Sequence, residues 1–191
     1  MKLFNGLFKS TQLKKELKKD YINHIKEYVT DNGGLFPHLT VFADVKKPKE
    51  GEEDKPAIIH IPIPDEWMQS DEMKDKFVDN VIPDVFKDIN AEFIPHGIGW
   101  AAEAWMRVAD KNFDPSKGDW KKIPIRKEVI MISIESDRPS ESIIYEIKRE
   151  GKQVNSDGNL VDVIKLEQQF KDEIAPSTGG RFTGLFKKLK N

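Results

Sequence analysis

The chain has 191 residues, 38% of them apolar and 34% charged, with a formal net charge of −2 and no cysteine. That length carries one core with tails rather than two cores. The near-neutral balance gives no overall field to hold a polyanion, so dedicated nucleic-acid binding is not expected. The missing thiols exclude disulfides, thiolate metal sites and cysteine nucleophiles.

Met1-Lys-Leu-Phe-Asn-Gly-Leu-Phe-Lys9 is too short and broken for a signal-peptide core. No window approaches the roughly 20 apolar residues of a membrane span. The expectation is a cytoplasmic protein without a membrane span.

Ser10 predicts a helix N-cap. Beyond it, Leu13, Leu17, Tyr21, Ile25 and Tyr28 recur at spacings of three or four, one face of an amphipathic helix opposite a lysine-rich face. Asp31-Asn-Gly-Gly34 supplies residues that tolerate positive φ and should stop it. Leu39–Val45 alternates as a strand, with Leu39, Val41, Ala43 and Val45 on one face and Thr40, Phe42 and Asp44 on the other. A charged hairpin tip follows, then a return strand over Ala57–Ile63 that proline marks as an edge.

Ser70 should cap the next helix, whose buried stripe is Met73, Phe77, Val81, Phe86 and Ile89. Pro83 inside this pattern predicts a kink or split. Three strands then fall within Ile94–Arg149, and the middle one, around Ile130, Ile132 and Ile134, is apolar on both faces as a central strand should be. Asn155-Ser-Asp-Gly158 signals a turn before a short strand at Leu160–Ile164, and Leu166–Ile174 reads as a short helix.

Recognisable catalytic signatures are missing. There is no nucleophile elbow, no Walker loop, no third glycine after Gly97-Ile-Gly99, and no metalloprotease spacing among His24, His38, His60 and His96. No cofactor and no metal is expected. Glu103, Trp105 and Arg107 share a face if their segment is a strand; a row of this kind can bind a polar ligand or can be an ion pair beside a packed tryptophan. His60 and His96 are candidates to meet in space.

One motif occurs twice. Phe4-Asn-Gly-Leu-Phe-Lys9 and Phe182-Thr-Gly-Leu-Phe-Lys187 differ at one position. Phe4, Leu7, Phe8, Phe182, Leu185 and Phe186 are the candidate partner-binding residues. Three uses compete: packing on the protein's own domain, anchoring in a partner groove, or lying in a membrane interface.

The run Ala102-Glu-Ala-Trp-Met106, Arg126-Lys-Glu-Val-Ile130, Glu135 and Tyr145-Glu-Ile147 resembles one in uncharacterised small proteins of tailed phages and their bacterial hosts. The resemblance implies no fold or activity. It brings accessory and virion-associated roles, in host cytoplasm or virion, among the expectations.

The resulting expectation is an α+β protein: a single antiparallel sheet of five or six strands covered by two main helices. The Ser70–Phe93 helix lies across the sheet with the Ser10–Val29 helix beside it. The domain spans 10–174, between docking motifs at 1–9 and, after a flexible linker, at 175–191. The expected function is a non-enzymatic accessory or structural interaction protein that docks on a protein partner through its terminal motifs, with homo-oligomers left open. The alternative is a small enzyme or ligand-binding protein with a site near His96, Glu103 and Arg107.

Overall fold

The computed structural model describes residues 3–46, 56–109, 113–114, 116, 118–119, 122–123, 126–136, 141–169 and 184–190, with side chains from residue 15 onward and not for residue 190. Six strands form one antiparallel sheet in the order β2-β1-β3-β4-β5-β6. They are β1 His38–Val45, β2 Pro56–Pro62, β3 Phe93–Arg107, β4 Arg126–Ser136, β5 Glu141–Val154 and β6 Leu160–Gln169. β1 and β2 make a hairpin, the helical segment crosses to bring β3 back beside β1, and β3 to β6 run on as a meander.

Strand alternation sorts the core into two layers. On one face Phe42, Ala101, Ile130, Ile132, Tyr145, Ile147 and Ile164 meet Leu17, Tyr21, Ile25 and Val29 of helix α1, Leu3–Asn32. These four helical positions, four apart, put one side chain per turn on the sheet, each burial stabilising by about 1.5–3 kcal/mol. Gly99 lets the helix approach: a Cβ there would stand 2.6 Å from the Tyr21 ring. On the other face Leu39, Val41, Ala43 and Ile98 meet Phe77, Val78, Ile82, Phe86 and Ile89 of the crossover helices. The two main helices therefore lie on opposite faces, not side by side. Both faces of β1 are apolar or buried, and each needs its own cover.

Helix α1 also begins earlier than Ser10 suggests. Its first residue is Leu3, and Gly6 does not break it, since a glycine costs a helix only about 1 kcal/mol against alanine. It stops as expected at Gly33, with φ +71° and its N–H donating to Val29 O at 2.9 Å.

The crossover helix splits where Pro83 requires it. Ser70 Oγ accepts from Met73 N at 3.2 Å at the head of α2, Asp71–Lys76. A widened π turn follows at Phe77–Val81, then α3 at Ile82–Glu92 with the proline in its first turn. The helix expected at Leu166–Ile174 is instead the end of β6 as far as Gln169, because Ile147 pairs with Leu166 and Tyr145 with Gln168; residues 170–174 lie outside the described residues. The turn before it forms as read, with Gly158 at φ +80° and Asn155 Oδ1 accepting from the Asp157 and Asn159 N–H groups.

Candidate functional site

His96, Glu103 and Arg107 all lie on β3, and the strand keeps them apart. Seven residues separate the first two, about 23 Å at about 3.3 Å per residue. His96 Nε2 is paired with Asp44 Oδ2, while Asp44 Oδ1 is buried without a hydrogen-bond partner among the described residues. Glu103 accepts from Leu35 N at 2.7 Å and stands 3.8 Å from the Arg149 guanidinium. Arg149 also holds Glu128 through two hydrogen bonds, Asp162 Oδ2 at 2.6 Å and Gly33 O at 3.0 Å. Hydrogen bonding by Glu128, with Asp162 and Glu103 adding to it, holds the guanidinium more firmly protonated than usual. This row across β3, β4, β5 and β6 ties the end of α1 to the sheet, so Glu103 belongs to an ion-pair network. Arg107 Nη1 donates to Ile123 O at 3.1 Å. Trp105 is 67% exposed. The strand thus spaces His96, Glu103 and Arg107 along its length, each with a partner of its own.

The C-terminal motif is used inside the molecule. Leu185 and Phe186, in helix α4, Leu185–Lys190, are each 2% exposed. Phe186 meets the Phe86 ring edge-on at 6.5 Å between centroids. The buried Glu135 carboxylate accepts from Gly184 N at 2.7 Å and from Phe186 N at 3.2 Å, satisfying the free N–H groups at the start of the helix. These two side chains therefore pack on their own domain. Phe182 lies outside the described residues; Phe4, Leu7 and Phe8 have helical backbone in α1, and their side chains lie outside the description.

The fold assembles a different cluster. Tyr21 and His24 come from one turn of α1, His38 and Thr40 from β1, and His60 from β2. The register places Thr40 opposite His60, and Thr40 Oγ1 stands 3.0 Å from His60 Nδ1. The His60 ring centroid is 5.0 Å from that of His24 and 5.7 Å from that of His38, and it stacks on Tyr21 at 6.4 Å. His38 Nδ1 is 3.0 Å from Phe36 O. A carbonyl only accepts, so this nitrogen carries the proton and Nε2 presents its lone pair. Nε2 of His38 and the Tyr21 hydroxyl are both buried with no hydrogen-bond partner among the described residues.

Burial, reinforced by the nearby His24, lowers the pKa of His38 against the pull of the Phe36 carbonyl. Partial desolvation of its ring, with His24 and His38 adding to it, lowers that of His60. Both rings are thereby biased to the neutral form. Burial pushes the Tyr21 phenol up and the nearby Thr40 hydroxyl pulls the other way, although no hydrogen bond of normal geometry reaches the phenol oxygen among the described residues. The inner layer of the cluster thus offers one unused donor and one unused acceptor. His24 and His60 form an exposed outer layer. Sequence reasoning linked His60 to His96 instead. The signal available was His24, three residues after the stripe residue Tyr21 and so at the edge of the buried helix face, with His38 and His60 on neighbouring strands.

Among the described residues no group of three or more His, Asp or Glu has donors placed to hold a metal ion. No helix of the described residues is long and apolar enough to cross a membrane. No family model matches the chain, and no curated protein or solved structure matches it either.

Proposed function

We propose that the protein is a ligand-binding protein that takes a small hydroxyl-bearing molecule at the Tyr21, His24, His38 and His60 cluster. The observation that supports this reading is the pair of buried, unpartnered polar atoms, Tyr21 Oη and His38 Nε2. Leaving such a group unpaired costs about 1–3 kcal/mol, a cost that a ligand completing both bonds removes. A hydroxyl group can accept from a phenol and donate to an imidazole lone pair, so a molecule that bears hydroxyls offers a partner to each atom. The faces of the aromatic rings suit the C–H edges of a polyol or sugar. The exposed His24 and His60 rings are the side chains that must turn aside to admit it.

Binding fits this arrangement better than catalysis. The one hydroxyl–imidazole pair in the cluster, Thr40 with His60, has its hydroxyl on a residue with no exposed surface, so no nucleophile faces a substrate. The resemblance to phage-associated proteins adds a setting to the proposal, that of an accessory protein.

The test is saturation-transfer NMR on the full chain with glycerol, inositol, glucose and ribose. At least one should bind, and at least ten-fold more weakly to the Tyr21→Phe and His60→Ala chains. No binding by any of the four, or binding unchanged in both variants, removes the proposal.

A further inference from the structure

The seat of α4 holds the Gly184-Leu-Phe-Lys187 segment. Gly184 has φ +76°, a conformation that favours glycine, and it turns the chain into the helix. Glu135 grips two backbone N–H groups, which any segment of that shape offers. Selection comes from the next two side chains, Leu185 and Phe186, sunk against Phe86 beside a cleft of about 340 Å³ that Val78, Pro83 and Leu189 help to line. The chain carries the same four residues a second time, as Gly6-Leu-Phe-Lys9.

We infer that this seat also accepts the N-terminal motif of a second copy of the chain, which displaces α4. The occupant is given by the repeat: glycine for the positive φ, then leucine and phenylalanine for the two buried positions. Helix α1 starts at Leu3, so only its first turn must unwind for Gly6 to adopt the conformation of Gly184. Terminal turns ending at a glycine are the least costly to open.

The two copies do not compete equally. Leu189 lies four residues after Leu185 and packs on the same face, whereas the matching position after Leu7 is Thr11. The incoming segment therefore buries less apolar surface. The resident one also belongs to the same chain as its seat, so its binding is intramolecular and the incoming segment must compete with it. Helix α4 thus acts as a built-in competitor, and self-association follows its release. This inference stands on the repeat and the α4 seat, independently of the histidine cluster.

The experiment uses a fluorescein-labelled peptide of residues 2–13 and the full chain. Fluorescence anisotropy should show binding at least ten-fold tighter to the Leu185→Ala/Phe186→Ala chain than to the wild type. It should be lost with a Phe8→Ala peptide and when Glu135→Ala is added to the released chain. Equal affinity for both chains, no binding to the folded double variant, or binding indifferent to Phe8 overturns the inference. Circular dichroism establishes whether the double variant is folded. If it is not, hydrogen exchange on the wild type decides: the amides of Leu185–Lys190 should exchange faster with millimolar peptide, and unchanged exchange overturns the inference.

Discussion

Replacing Tyr21 by phenylalanine should stabilise the ligand-free protein. Tyr21 has no exposed surface, its ring lies against Phe42 at 5.3 Å and over Gly99, and its hydroxyl has no partner among the described residues. The ring contacts survive the substitution. What is lost is a buried hydroxyl whose desolvation is uncompensated, a cost of about 1–3 kcal/mol. Against this stands a void of roughly 10–15 Å³, which costs about 0.3 kcal/mol at ~24 cal/mol per Å³. The net expectation is a gain of about 1 kcal/mol, or about 2–4 °C in Tm for a chain of this size. Urea unfolding at pH 7.5, far below the raised phenol pKa, reads this as a higher midpoint with an unchanged slope. A satisfied hydroxyl behaves oppositely, since deleting it costs about 1 kcal/mol. A midpoint that falls would show that the phenol is already bonded, and the argument for a ligand there would fail.

Three further outcomes are expected. Ile132→Ala, in a side chain with no exposed surface on the central strand, should cost about 2–5 kcal/mol in urea unfolding; a midpoint that stays put would contradict the two-sided core. Gly99→Ala drives a Cβ to 2.6 Å from the Tyr21 ring and should cost about 1–3 kcal/mol, read as a lower melting temperature, whereas an unchanged one would place α1 further from the sheet. Stability should also fall as pH drops from about 7 toward 5. The unfolded histidines take up protons near their ordinary pKa of ~6.5, while folded His38 and His60 resist, so the unfolded state binds more protons in that window. The stabilisation is present above ~6.5 and lost below it, and His38→Gln with His60→Gln should flatten the profile.

Patterns within one element were legible in the sequence; juxtapositions between elements were not. The alternation around Ile132 specifies a strand needing cover on both faces, and the Leu17-Tyr21-Ile25 spacing specifies a helix with one apolar stripe. Neither says which face of the sheet the stripe meets, because a helix stripe fits any apolar sheet face. The segment after Leu166 is too short for its period to decide, and pairing with Ile147 and Tyr145 makes it strand as far as Gln169. The glycine, leucine and phenylalanine of the C-terminal motif were visible, but their receptor was not. Nothing in the sequence marks Glu135 out from the chain's other carboxylates; the fold aims it at the start of α4. The histidine cluster was hidden for the same reason. His24, His38 and His60 lie on three elements, and they meet only through the Thr40–His60 register and the path of α1 over Gly99.

The central claim, that the inner layer of this cluster presents an unused acceptor to a ligand hydroxyl, is tested most directly at the His38 ring. A long-range ¹H–¹⁵N spectrum at pH 7.5 distinguishes the two tautomers and the imidazolium. The geometry predicts a neutral ring protonated on Nδ1, where it meets the Phe36 carbonyl, with an unprotonated Nε2 whose resonance shifts when a binding polyol is added. A ring protonated on Nε2, or an Nε2 resonance unmoved at ligand saturation, would contradict it.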